Sequence, residues 1–116
     1  MAIKSYAELQ AYITDWLKAN GVDASGAPHG SFWDDMSYKD FTTGSVPGFK
    51  SVKVLIVGDG KNSNIVQALM GTGLFDPDSG RYPQMPANGP YMQPAGPTVG
   101  PVVQPIVDWI DAGCPE

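Results

Sequence analysis

Two side chains of this sequence are of the types that bind transition metals in proteins: the imidazole of His29 and the thioether of Met85. His29 is the only histidine, and Met85 stands far along the chain in the segment Gln84-Met85-Pro86. A histidine and a methionine together are a ligand pair that suits haem iron or copper. A copper site made of one histidine and one or two methionines would lack a further ligand, which favours haem for this pair.

Each of the two residues also has an ordinary structural interpretation. His29 can cap a turn between Pro28 and Gly30. Met85 can fill a gap under a loop, as methionines commonly do in protein cores. Neither residue by itself therefore indicates a metal site, and the sequence around them has to decide.

The spacing around His29 bears on how a haem would be held. Residues 25–29 read Ser-Gly-Ala-Pro-His, so that Ser25 and Pro28 stand where a C-x-x-C-H haem-attachment motif has its cysteines. Thioether bonds require thiols, and the only cysteine of the chain is Cys114. The sequence therefore predicts no covalent haem attachment.

The remaining residues of chemical interest form no catalytic set. Asp34 and Asp35 are adjacent and are expected to point in different directions. The segment of residues 58–61 lacks the full phosphate-loop pattern, and residues 75–80 lack the spaced acidic ligands of a calcium loop, so both are interpreted as turns. We expect no catalytic residue and no metal site, an enzyme ranks third among the functional interpretations, and the Cys114 thiol is expected to be passive and close to solvent.

Composition and charge describe one globular domain, residues 1–116, and exclude two classes of partner. The net charge is −5 and the seven basic residues are scattered, which argues against binding of nucleic acid. The apolar run of residues 52–57 is too short to span a bilayer, so no membrane insertion is expected. No secretory signal peptide is recognised, which predicts a cytoplasmic location, or a periplasmic one if a leader has been removed.

Hydrophobic spacing and helix-end residues predict mainly helical structure. Ser5 and Glu8 form a capping-box pattern, and Gly21 follows the last residue of the expected first helix. The predicted order is a helix over residues 6–20, an irregular segment over 21–36, a short helix over 37–42, an extended segment over 52–57, a helix over 62–70, a Gly/Pro-rich loop over 71–100 and a last helix over 102–112.

Three segments resemble the class I cytochrome c family. The run of residues 32–41, Phe-Trp-Asp-Asp-Met-Ser-Tyr-Lys-Asp-Phe, followed by Val46-Pro47-Gly48, looks like cytochrome c-like domains of bacterial proteins. Residues 57–59 with 62–65 resemble the family's glycine–aspartate turn before its middle helix. Met85-Pro86 and the ending of residues 106–113 resemble its methionine loop and C-terminal helix.

The resemblance implies a mainly α, cytochrome c-like small helical domain with long Gly/Pro-rich loops. In that fold the terminal helices cross, so that Leu9, Ile13 and Trp16 would meet residues of the last helix. A haem pocket without haem must be filled by side chains, or packing energy is lost to a cavity. The residues available to fill it are the methionines and Phe32, Trp33, Phe41, Tyr82 and Tyr91.

These features lead to two functional hypotheses. The first is a haem-free binding or accessory module, without a cofactor, that acts through protein–protein interaction. Its partner would contact the loop that carries Met85, through Tyr82, Tyr91 and Met92, because aromatic and methionine side chains are common at interfaces. The alternative is an electron-transfer domain that binds haem non-covalently through His29 and Met85.

Overall fold

The computed structural model describes residues 2–22, 32–86 and 90–116. The described residues form five α-helices, α1 (Tyr6–Ala19), α2 (Phe32–Asp35), α3 (Tyr38–Thr43), α4 (Asn64–Met70) and α5 (Gln104–Asp111), a 3-10 helix (Gly73–Phe75) and two strands, β1 (Ser45–Val46) and β2 (Phe49–Lys53). The strands pair antiparallel, with Ser45 opposite Lys53 and Val46 opposite Phe49.

The expected mainly α, cytochrome c-like helical fold is wrong, because the described chain is mixed α/β. Helices account for 41% and strands for 7% of it. The sequence Val46-Pro47-Gly48-Phe49, for which no strand was predicted, makes a hairpin. Gly48 permits it by adopting a φ of 84°, a conformation that glycine reaches without steric cost.

The helix ends follow the predicted end signals most closely in α1 and α3. The Ser5 hydroxyl accepts a hydrogen bond from the Glu8 amide at 3.1 Å, and Ser37 does the same for Asp40 at 3.1 Å. Helix α4 ends at Gly71, which is left-handed with a φ of 70°. Helix α5 begins two residues later than expected, at Gln104, with a proline in its first turn.

Helix α2 lies in the segment that was expected to be irregular, and polar side chains of α1 hold it there. The Tyr6 hydroxyl donates to the carbonyls of Trp33 and Met36, both at 2.9 Å, and the Gln10 amide donates to the Trp33 carbonyl at 3.0 Å. The Thr14 hydroxyl donates to the Asp34 carboxylate at 2.7 Å. Because residues four apart share one helix face, these three side chains act along one stripe of α1.

The core is a single cluster to which α1 and α5 both contribute. Of the residues expected to meet there, Leu9 and Ile13 are buried in it, and Trp16 packs against it while partly exposed. The Tyr6 and Trp109 rings stack with centroids 6.3 Å apart. The buried members from α5 and the residue before it are Val103, Ile106, Val107, Trp109 and Ile110.

The extended segment predicted over residues 52–57 is only partly correct. Strand β2 ends at Lys53, and Val54 then pairs its amide with the Gly44 carbonyl at 3.2 Å and its carbonyl with the Ile65 amide at 2.9 Å. Ile56 and Val57 are each 50% exposed. The alternation of apolar residues therefore ends at Leu55, after which the chain turns toward α4.

The C-terminal segment is pinned to the core, so the expectation that Cys114 lies near solvent is wrong. Cys114 is fully buried. The Tyr38 hydroxyl donates to its carbonyl, and the Trp109 indole donates to the Pro115 carbonyl at 2.9 Å. Burial raises the pKa of the Cys114 thiol to about 11, which makes it unreactive at neutral pH, since the thiolate is the nucleophile.

Alkaline pH is expected to destabilise this fold through Tyr6. Burial raises the pKa of Tyr6 from 10.0 to about 12. Folding therefore favours the neutral phenol, whose contribution to the free energy of unfolding is complete below pH 10.0 and is lost as the pH rises through about 12. Urea denaturation at a series of pH values up to about 12 measures this loss.

The matched variants are Tyr6→Phe and Tyr12→Phe, since burial also raises the pKa of Tyr12. Tyr6→Phe should lower stability at neutral pH by about 1–3 kcal/mol, because it removes the Tyr6 donor of the Met36 carbonyl and one of the two side-chain donors of the Trp33 carbonyl, and should show a shallower alkaline decline. An alkaline decline in Tyr6→Phe as steep as that of the unmodified protein would contradict the assignment.

Candidate functional site

The structure describes one of the two residues proposed to hold a cofactor. His29 lies outside the described residues. Met85 is half-buried and precedes Pro86 through a cis peptide bond. The candidate site is therefore built from the part of the loop around Met85 that the structure describes, residues 82–86 and 90–96, which we call the Met85 loop.

The Met85 loop is held by the C-terminal end of α4. The last four carbonyls of a helix have no intrahelical partner and need donors from elsewhere. In α4 the Gln67 carbonyl accepts from the Gly71 amide at 2.8 Å, as an ordinary helix end would. The other three acceptors all take donors from the Met85 loop: Ala68 from the Met85 amide (2.8 Å), Leu69 from the Gln84 side chain (3.0 Å) and Met70 from the Gly96 amide (3.0 Å).

Gln84 joins the two described parts of the loop, residues 82–86 and 90–96. Its side chain is 5% exposed, and its amide nitrogen donates both to Leu69 and to the Gln93 carbonyl, the latter at 2.8 Å. Gln93 in turn donates to the Thr98 carbonyl at 2.9 Å and accepts from the Gly100 amide at 2.8 Å. Two glutamine side chains thus tie the loop to α4 and to the segment that leads into α5.

Gln84 had no predicted role, since the sequence marks it only as the neighbour of Met85. The available signal was general: backbone groups of a long loop in a compact domain need partners, and proline supplies no amide donor. Nothing in the sequence indicated which polar side chain would be buried.

The three residues proposed to bind a partner lie in three different environments. Tyr82 is half-buried, and its ring contacts Phe49 and Phe75 with centroids 5.6 and 5.7 Å apart. Tyr91 is 44% exposed. Met92 is 6% exposed and belongs to the core cluster. Of the three, Tyr91 is the side chain that the loop presents most fully to solvent.

The other segments weighed for ligand binding use their polar groups within the protein. The Gly58 amide donates to the Ile110 carbonyl at 3.0 Å and the Gly60 amide to the Asp111 carboxylate at 2.7 Å, so this turn caps α5. The Asp76 carboxylate accepts from the Asp78 and Ser79 amides, which lowers the pKa of Asp76. Both segments are turns, as predicted.

Within residues 2–22, 32–86 and 90–116, no group of three or more histidine, cysteine, aspartate or glutamate side chains is arranged to hold a metal ion. Among the same residues, the helices are all too short or too polar to cross a membrane. No protein-family model, curated protein or solved structure matches this chain. The residues of the Met85 loop are then the basis for a functional proposal.

Replacing Gly71 is expected to disrupt the Met85 loop. Gly71 has a φ of 70°, and a Cβ there would lie 2.9 Å from the Ala95 Cβ and from side-chain atoms of Gln84. Gly21, at the end of α1, is the matched control, because it has the same φ of 70° and a Cβ there would meet no atom of the described residues within 4 Å.

In urea denaturation, Gly21→Ala should lower the free energy of unfolding by about 1–2 kcal/mol, the cost of a left-handed alanine. Gly71→Ala should lower it by about 1–3 kcal/mol more, because the loop must also move. Equal losses in the two variants would contradict the close packing of the loop on α4.

Proposed function

We propose that this chain is a haem-free module that binds a protein partner through the Met85 loop, with Tyr91 as the anchoring side chain. The observation that carries the proposal is a large aromatic side chain, 44% exposed, on a loop whose backbone is tied down on both sides of it. Tyrosine is enriched among the residues that contribute most to binding energy.

The fixed backbone of the loop favours this use. Ordering a loop on binding costs free energy, and a loop already held in its bound conformation avoids that cost. The Met85 and Gly96 amides and the Gln84 side chain hold the loop on α4. Tyr91 lies between these attachment points, so a partner would meet a side chain on an ordered support.

The donor set of the chain does not fit covalent haem. Thioether attachment needs two thiols beside the histidine, and the single cysteine, Cys114, is buried at the other end of the chain with its carbonyl bound by Tyr38. The packing supports a haem-free protein as well. Phe32, Trp33 and Phe41, three of the side chains expected to fill a vacated pocket, are buried, and the Phe32 ring contacts the rings of the other two.

The first experiment tests the absence of haem. Protein purified from haem-replete cells should be colourless, and hemin added at micromolar protein concentration should produce no saturable change in the visible spectrum. The matched variants are His29→Ala and Met85→Leu, and the purified protein of each should behave as the unmodified protein does. A Soret band that His29→Ala removes would overturn the proposal and favour non-covalent haem binding for electron transfer.

The second experiment separates the interface from the core. Tyr91→Ala should leave the free energy of unfolding within about 0.5 kcal/mol, as exposed substitutions usually do. Met92→Ala should lower it by about 2–5 kcal/mol, because Met92 is buried in the core cluster. Both residues were expected to contact a partner. Because only Tyr91 is exposed, its variant tests binding, whereas the Met92 variant tests folding.

Binding itself is measured with a photo-crosslinking amino acid placed at Tyr91 in the producing cell. One discrete crosslinked product is expected, and tandem mass spectrometry identifies the partner. The same amino acid at Leu74, which is 40% exposed and lies outside the Met85 loop, is the control. No product from position 91, or the same products from both positions, would refute an interface centred on Tyr91.

A further inference from the structure

Helix α1 carries a second surface, beside the stripe that enters the core. An open depression there is lined by Glu8, Ala11, Tyr12, Asp15 and Trp16, which we call the α1 groove. The core-facing stripe of the same helix is formed by Tyr6, Leu9, Ile13 and Leu17. The groove is independent of the Met85 loop, because the two surfaces have no residue in common.

Two aromatic side chains line the groove. Tyr12 and Trp16 are four residues apart on α1, so they lie side by side, and both pack partly buried against the core. The Tyr12 hydroxyl donates to the Val102 carbonyl, which fixes that ring. The groove therefore presents aromatic surface on a rigid support.

The indole N–H of Trp16 donates no hydrogen bond to any residue that the structure describes. Of the three tryptophans, Trp33 donates its indole N–H to Thr14 and Trp109 donates to Pro115. Within the described part of the chain, Trp16 has neither a hydrogen-bond acceptor nor an aromatic ring partner. Its indole is thus available to a ligand.

The rim of the groove is acidic and carries unpaired charge. Glu8 and Asp15 are exposed, and neither forms an ion pair with any residue that the structure describes. Glu8 accepts one hydrogen bond, from the backbone amide of Lys4 at 3.1 Å. Ala11 lies between the two carboxylates along the helix and has only a methyl group, which leaves the space between them open.

Aromatic walls with a carboxylate on either side are complementary to a cation. A guanidinium group stacks on an indole or phenol ring and donates hydrogen bonds to carboxylates in the same plane, which an ammonium group cannot match. We propose that the α1 groove binds a basic segment of a partner protein, with one arginine side chain against Tyr12 and Trp16 and its guanidinium between Glu8 and Asp15.

The test is a nuclear magnetic resonance titration of ¹⁵N-labelled full-length protein. The probe is a capped pentapeptide with one central arginine flanked by leucine and glycine, and the matched peptide has glutamate in place of arginine. The arginine peptide should shift the Trp16 indole resonance saturably with a Kd of about 1 mM, while the hydrogen-bonded indoles of Trp33 and Trp109 stay unchanged. Added salt should weaken the binding.

Three variants locate the binding. Asp15→Asn and Glu8→Gln should each raise the Kd by about two- to fivefold, as loss of an exposed ion pair does, and both keep the shape of the groove. Trp16→Leu, in which the titration is followed by the backbone amide resonances of the groove residues because the indole is gone, should raise it by a similar factor through loss of the cation–π contact. Asp78→Asn, which removes the same charge outside the groove, should leave the Kd unchanged.

The proposal is overturned by an absent or non-saturable Trp16 shift with the arginine peptide, or by an equal shift with the glutamate peptide. It is overturned as well if Asp15→Asn and Asp78→Asn have the same Kd, since the interaction would then reflect net charge alone. Because Trp16 is partly buried, Trp16→Leu can lose stability, and the two carboxylate variants then decide the outcome. None of these results bears on Tyr91, so the two surfaces succeed or fail separately.

Discussion

Short helices leave most of their carbonyl groups without intrahelical partners, and satisfying those carbonyls determines how the rest of this chain is arranged. Helices α2, α3, α4 and α5 have 4, 6, 7 and 8 residues, so a large part of each is helix end. A buried carbonyl without a donor costs about as much as a lost hydrogen bond. The carbonyls of α2, α4 and α5 therefore recruit donors from distant parts of the sequence.

Three such recruitments hold the main parts of the fold together. The carbonyls of α2 take Tyr6 and Gln10 from α1, those of α4 take the Met85 loop, and the Ile110 carbonyl of α5 takes the Gly58 amide. In the first case these hydrogen bonds fix the short helix α2 to α1, and in the other two the donors belong to loop segments. This explains how a sequence with 14 glycines and 11 prolines holds the loops of residues 54–63, 82–86 and 90–96 in place.

Helix α1, with 14 residues, is the longest element that the structure describes, and its faces make different kinds of contact. One stripe is apolar and enters the core, and a second, containing Gln10 and Thr14, fixes α2 by hydrogen bonds. The third is the α1 groove. A helix of 14 residues has enough turns to present all three stripes. Helix α1 therefore both supports α2 and carries a candidate binding surface.

The sequence predicted the features that depend on neighbouring residues and missed those that depend on distant ones. Ser5, Ser37 and Gly71 mark helix ends through contacts within a few positions, and those ends are confirmed. Helix α2 depends on Tyr6, 27 positions before Trp33, and the burial of Cys114 accompanies a hydrogen bond from Tyr38, 76 positions away. Such pairings have no periodicity that a single sequence reveals.

The sequence likewise predicted some features of the candidate site and missed others. The composition of the Met85 loop indicated an interface, but it could not distinguish exposed Tyr91 from buried Met92, since adjacent residues of an irregular loop follow no fixed alternation. The roles of Gln84 and of the groove residues Tyr12 and Trp16 also depend on tertiary contacts. A helical stripe predicts which residues face the core, but it leaves open what the opposite face presents to a partner.

The two candidate surfaces are linked by one short stretch of backbone before α5. Gln93 of the Met85 loop binds Thr98 and Gly100, and Tyr12 of the α1 groove binds the Val102 carbonyl. Val103, which follows, is fully buried. Because both surfaces bind this stretch, a substitution within it would disturb both at once. Tyr91 and Asp15, by contrast, are exposed residues that do not contact the stretch through these hydrogen bonds. Substitutions at those exposed positions can therefore test the two proposed binding surfaces separately from each other and from folding.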